Sequence, residues 1–69
     1  MKLFAFYIGG EHPGANIEVH DMRFVVARTM TETYDELRRQ WWGTPDSLHI
    51  DAWAVIDHAD GYDVELTTV

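Results

Sequence analysis

A histidine and an aspartate two positions apart, His49 and Asp51, are the residues of this chain best suited to chemistry. Side chains at i and i+2 of a β-strand project from one face, so their Cα atoms would lie about 6–7 Å apart. Such a pair could supply two metal ligands, or a catalytic base and the acid that orients it. The alternative is a structural histidine bonded to a neighbouring strand, beside a solvated carboxylate.

A second cluster, Glu18, His20 and Asp21, offers the same ligand types earlier in the chain. Glu18 and His20 share one strand face, whereas Asp21 points away unless a bulge intervenes. If the second and third strands were neighbours in the sheet, His20 or Asp21 could approach His49 and Asp51. Two histidines with one or two carboxylates, chiefly His20, His49 and Asp51, would then form a site for a divalent transition metal such as zinc, manganese or iron. The alternative is a strand entrance whose charges face water, with no cofactor bound.

Other reactive groups are scarce. The chain has no cysteine, which excludes disulfides and thiolate zinc sites. Ser47 is the only serine, and no histidine is placed to activate it, so we do not expect a serine triad. The glycines of residues 9–17 lack P-loop spacing and its lysine, which favours a tight surface loop over a phosphate cradle.

Trp42 and Trp53 are candidate binding residues. Trp41 and Trp42 are adjacent, and adjacent side chains on a helix diverge by about 100°, so Trp42 is expected at the core edge, in a pocket or in an interface. Trp53 lies on the same predicted strand face as His49 and Asp51, opposite the apolar face that begins at Leu48. Neither tryptophan is tied by the sequence to a particular ligand.

Hydrophobic periodicity predicts the elements that position these groups. Residues 3–8 are typical of a buried central strand, residues 18–29 of a second strand, and residues 48–58 of an alternating third strand. A helix is predicted from Thr33, in a capping box with Glu36, to Gly43. The Asp60-Gly61 turn then leads into a fourth strand.

The sequence therefore predicts one α+β domain over residues 1–69, with the element order ββαββ. Its four strands should form a mixed, mostly antiparallel sheet with one short helix on one face. One helix cannot cover both faces of such a sheet. The uncovered face is predicted to carry Trp53 and Val55 and to meet a second copy of the chain.

The amino-acid composition limits the classes of partner that we expect for this chain. Twelve acidic residues against five basic ones give a formal net charge of −7, which disfavours nucleic acid and anionic membranes. No segment approaches the roughly 20 apolar residues of a membrane helix, and the apolar stretch at residues 3–8 is too short for a signal peptide. The lack of cysteine suits a reducing compartment, so we expect a soluble cytoplasmic protein.

The pattern as a whole resembles a bacterial family known as domain of unknown function 1543. The resemblance is carried by residues 9–10, 13–18, 20–21 and 23–26, and by residues 37–38, 41–43, 47–53 and 60–62. It implies small bacterial proteins with one or two copies of the unit, and it supplies no catalytic residues. If the two-copy members fold as intramolecular pairs, a member with one copy is expected to form the equivalent homodimer.

Three functional hypotheses follow, of which the third, a regulatory binder that presents its acidic surface to a basic protein, rests only on the net charge of −7. The first is a non-enzymatic, homodimeric binding module, which needs no cofactor and has no small-molecule ligand that the sequence identifies. The second is a small metal-dependent hydrolase or isomerase, with His49 and Asp51 as catalytic candidates and His20, His49 and Asp51 as metal ligands. Whether the chain is an enzyme stays open at this point.

Overall fold

An antiparallel sheet of three strands positions the candidate residues, with the most apolar strand at its centre. In the computed structural model, which describes residues 1–69, strand β1 covers Lys2–Gly10, β2 covers Val19–Ala27 and β3 covers His49–Val55. The spatial order is β2-β1-β3, and β1 pairs antiparallel with both neighbours. The apolar run at residues 3–8 was predicted to be central, and this prediction is confirmed.

A short helix packs on one side of the sheet. A 3₁₀ turn at Thr31–Thr33 leads directly into helix α1, Tyr34–Gln40. No helix of the structure combines the length and the hydropathy that a membrane crossing requires. Helix and sheet enclose a small core, whose buried apolar members are Phe4, Phe6, Ile8, Val25, Ala27 and Leu37. The α+β class is therefore confirmed.

Thr33 immediately precedes α1, as predicted for its N-cap, but the predicted capping box with Glu36 does not form. Thr33 is itself helical, and its hydroxyl donates to the carbonyl oxygen of Met30 at 2.6 Å instead of capping α1. The preceding 3₁₀ turn already begins the helical path, which leaves Thr33 buried inside it. The helix also ends before Gly43, because Trp41 is extended and its indole N–H donates to the carbonyl oxygen of Thr44.

The four-stranded mixed sheet is not confirmed. Strand β4, His58–Ala59, pairs only with β5, Tyr62–Asp63, in a separate two-stranded ladder. The Asp60-Gly61 turn exists, with positive φ at both residues, but it reverses the chain so early that the returning segment pairs locally. The main sheet also has no parallel pair, since β2 and β3 run parallel but are separated by β1.

The faces of β3 differ from the predicted alternation. A register shift between Tyr7 and Ile8 leaves Asp51 without a Cα partner on β1, which is a β-bulge. The extra residue moves every later side chain of β3 to the opposite face of the sheet. Trp53 therefore pairs with Phe6, and Val55 with Phe4, on the helix side. The prediction that Trp53 and Val55 lie on the uncovered face is therefore wrong.

Helix α1 carries ion pairs that give the first testable prediction. Glu36 accepts hydrogen bonds from Arg39 and Gln40, and these lower the pKa of its carboxyl to about 2. A carboxylate with a lowered folded-state pKa stabilises the fold above its unfolded pKa, and this contribution is lost as the pH falls toward the folded value. Glu36→Gln should therefore lower Tm by a few degrees at most at pH 7.

The difference in Tm between the wild type and Glu36→Gln should then shrink as the pH falls from about 4.5 toward 2. Thermal unfolding of both proteins, followed by circular dichroism at pH 7 and pH 3, measures it. A difference that grows toward pH 3 would contradict the assignment. Because the pair is exposed, high salt at pH 7 should also reduce the difference.

Candidate metal centre

The candidate site lies over Gly9, on the face of the sheet away from the helix. Gly9 pairs with His20 of β2 on one side and with His49 of β3 on the other. A Cβ atom at Gly9 would come within 2.8 Å of both Glu18 Oε1 and His20 Cδ2. The missing side chain therefore leaves the space that the two histidines and Glu18 share.

Four ligand-type side chains converge there: Glu18, His20, His49 and Asp51. His49 Nε2 lies 2.5 Å from Glu18 Oε1 and 3.1 Å from Asp51 Oδ1. His20 Nε2 lies 3.3 Å from Asp51 Oδ2 and 3.9 Å from Glu18 Oε2. One potential ligand atom from each residue lies within 4.8 Å of all the others.

The imidazole–carboxylate separations are close to those in the coordination shell of a transition metal. Zinc binds imidazole nitrogen and carboxylate oxygen at about 2.0–2.2 Å, so ligand atoms around a tetrahedral ion lie about 3.4 Å apart. The imidazole–carboxylate separations, between 2.5 and 3.9 Å, bracket this value. The four side chains are one third to one half exposed, so an ion or a water molecule can reach them.

Local structure explains how each group arrives. Glu18 comes just before β2 and lies two residues from His20, so both project to one side. The bulge at Asp51 releases that residue from the β1 ladder and lets its carboxylate reach both imidazoles. Tyr7 of β1 lies beside His20 of β2, and its ring stacks on the imidazole, with ring centroids 5.1 Å apart and the ring planes 8° from parallel.

A polar groove opens beside the cluster. Its walls are the loop at residues 10–18 and the segment at residues 44–49, and Glu18 and His49 belong to both the groove and the cluster. Ser47 joins the two walls, because its hydroxyl oxygen accepts from the Glu11 N–H at 2.9 Å and its hydroxyl donates to Thr44 O at 2.6 Å. A small polar molecule in this groove would lie next to the candidate ion.

The structure brings together the three predicted metal candidates, His20, His49 and Asp51. It adds Glu18, which the sequence placed on the face of His20 but outside the candidate set. The alternation of Glu18 and His20 was the signal for it. Gly9 could not be found this way, because its role depends on pairing with two strands that are distant in sequence.

The other candidates lie elsewhere. Asp21 lies on the helix side of the sheet. Its carboxylate accepts hydrogen bonds from the indole N–H of Trp42 and from the backbone N–H of Met22, and these, the first more than the second, hold its pKa below the usual value. Trp42 packs against Trp41 and His12, and so does not face the cluster. Trp53 is half exposed near Phe4, also on the helix side. Neither tryptophan contributes to the cluster.

Comparison with known proteins gives a family and a structural neighbour. The family model described as Domain of Unknown Function (DUF1543) matches residues 15–66. The chain is also similar to the crystal structure of a protein Il1583 from Idiomarina loihiensis, with a TM-score of 0.90 and 53% sequence identity. That match covers 96% of this chain and 45% of the other, so this chain spans less than half of its neighbour's length. A comparison with curated proteins finds no match.

Proposed function

The chain belongs to the DUF1543 family, whose description assigns no function, and we propose that it is a small metal-binding module. Glu18, His20, His49 and Asp51 would hold one divalent transition ion. The observation that supports this proposal is the convergence of two imidazoles and two carboxylates over a glycine. Glu18 immediately precedes β2, His20 lies in it, and His49 and Asp51 lie on β3, so two segments distant in sequence contribute.

Electrostatics favours an ion at this point. Both carboxylates turn toward the same imidazole nitrogen, His49 Nε2, which carries at most one proton to donate. The protein already has a net charge of −7, and two more carboxylates brought together raise the local negative potential. A divalent cation would bond to both oxygens and both nitrogens at once. Zinc, manganese and iron accept this mixture of ligands.

Metal binding would also stabilise the fold. Only nine of the 69 residues are buried, and chains of this size usually need a metal, disulfides, exceptional packing or a partner. An ion that binds only the folded state at 100 times its Kd adds about 2.7 kcal/mol. The ion would tie the start of β2 to the start of β3 across β1. In this form of the proposal the module binds without catalysing a reaction.

A second candidate function is a small metal-dependent hydrolase or isomerase. The observation that favours it is the polar groove that shares Glu18 and His49 with the cluster. A bound divalent ion lowers the pKa of a coordinated water and polarises a carbonyl group. In that case His49 and Asp51 would act as ion ligands, and the groove would position the substrate.

Zinc titration of chelator-treated protein tests the proposal. Isothermal calorimetry should show one equivalent of zinc per chain, and a hundredfold excess over Kd should raise Tm by roughly 10 °C or more. Magnesium, which prefers octahedral oxygen ligands, should not produce the same shift. Absence of zinc binding, or several weak equivalents with no change in Tm, would contradict the proposal.

A further inference from the structure

The face of the sheet opposite the helix, the open face, is apolar and uncovered. Its members on β1 and β2 form three cross-strand pairs, and two alanines of β3 extend it. They are Leu3, Ala5, Tyr7, Met22, Phe24, Val26, Ala52 and Ala54. Phe24 is 57% exposed and Met22 is 47% exposed, so large apolar side chains stand in solvent.

The charged residues of β2 lie on the helix side of the sheet, whereas a face that meets water would be expected to carry them. Asp21 and Arg23 lie on the helix side, where they form an ion pair at 2.8 Å. The residues that alternate with them on the open face, Met22 and Phe24, are apolar. A sheet with one solvated face normally shows the reverse pattern. The sequence of β2 is therefore suited to a strand whose open face is covered.

The open face is large enough for a specific contact. Judging from the exposed fractions of its side chains, it offers on the order of 500 Å² per chain, in the range of patches that mark interaction sites. Two such faces would bury on the order of 1,000 Å² together, which is the lower limit for a specific interface. The eight side chains of the open face are uncharged, and the carboxylates of Glu18 and Asp51 lie at one end of it, so two copies could meet over most of the contact without charge repulsion.

We infer that the open face binds the open face of a second copy of this chain. Two sheets would then pack face to face about 10 Å apart around a two-fold axis. The similar chain from Idiomarina loihiensis is more than twice as long, so it has room for a second unit of this size.

This pairing is independent of the metal proposal. The candidate metal centre lies at one end of the open face, next to Tyr7, whereas Phe24 and Val26 lie toward the other end. Pairing places the two candidate centres at the border of the contact and does not require an ion in either. Association measured in the presence of a chelator therefore reports on the open face alone.

Sedimentation velocity in EDTA tests the pairing, with Phe24→Glu as the variant. The wild type should change from monomer to dimer as its concentration rises through the micromolar range, and its Tm should rise with concentration. Phe24→Glu should raise the dimer Kd by more than about 100-fold, because two buried charges replace the two most exposed aromatic rings of the contact. Tyr62→Glu, which changes an exposed tyrosine outside the open face, should leave the dimer Kd unchanged.

Two results would overturn the inference. One is a wild type that stays monomeric at about 200 μM with a Tm independent of concentration. The other is a folded Phe24→Glu variant that dimerises as well as the wild type. If Phe24→Glu fails to fold, the concentration dependence of the wild-type Tm decides the question. If the wild type is monomeric, as in the first of these results, and sediments with phosphatidylcholine vesicles, the face would be assigned to lipid instead.

Discussion

His49→Ala should lower the affinity for zinc by more than about 100-fold. His49 Nε2 contacts both carboxylates of the cluster, so its loss removes one ligand and the group that lies between Glu18 and Asp51. Changes to residues that only support metal ligands already cost about 10- to 100-fold, and removal of a ligand should cost more. The side chain is about half exposed, so its removal opens no core cavity and the fold should persist.

The matched control is His58→Ala. His58 is a more exposed histidine, on β4, and its Nδ1 contacts only the neighbouring Asp57 at 2.7 Å. Calorimetric zinc titrations of the two variants should separate them clearly, with His58→Ala close to the wild type. Equal losses of affinity in both variants would indicate adventitious binding to surface histidines. An unchanged affinity in His49→Ala would remove the cluster from consideration.

Gly9→Ala should weaken zinc binding while leaving the fold intact. The added methyl group would lie 2.8 Å from Glu18 Oε1 and 2.8 Å from His20 Cδ2, too close for either side chain to keep its position. Both contacts involve the ends of flexible, half-exposed side chains, which can turn outward without moving the backbone. We expect a loss of affinity of about 10- to 100-fold, similar to the loss of a supporting residue.

Gly14→Ala is the control for this change. Gly14 lies in the loop before β2, and a Cβ atom there meets only the ring of His12, at 3.3 Å. Zinc titration and thermal unfolding should be run on both variants. A Gly9→Ala protein that binds zinc like the wild type would show that the space above Gly9 is not needed. A Gly9→Ala protein that unfolds would show that the contact is structural.

Much of the fold could be predicted from the sequence because local patterns were strong. Residues 3–8 are apolar on both faces, as expected for a central strand, and the Asp60-Gly61 turn has positive φ at both residues. The separate hairpin could not be predicted, since the hydrophobic alternation of residues 62–69 is the same for a fourth strand of the sheet as for a local pair. Which of the two forms depends on the relative stability of the two strand pairings.

The candidate site shows where local patterns stop being informative. The shared side of His49 and Asp51 followed from their spacing, and that of Glu18 and His20 did so too. Their convergence required β1 between the two strands, with Gly9 in register with both histidines. The bulge at Asp51 was equally hidden, and it moved Trp53 to the helix side. Pairing register depends on contacts across the whole chain, which one sequence does not reveal.

X-ray absorption at the zinc edge of protein loaded with one equivalent would identify the ligands of the metal centre. We expect a first shell of two imidazole nitrogens and carboxylate oxygens, at about 2.0–2.2 Å. The same spectrum from His49→Ala, loaded at high zinc, should lose one imidazole. A wild-type shell with no imidazole or only one, or a spectrum that His49→Ala leaves unchanged, would contradict a metal centre built from Glu18, His20, His49 and Asp51.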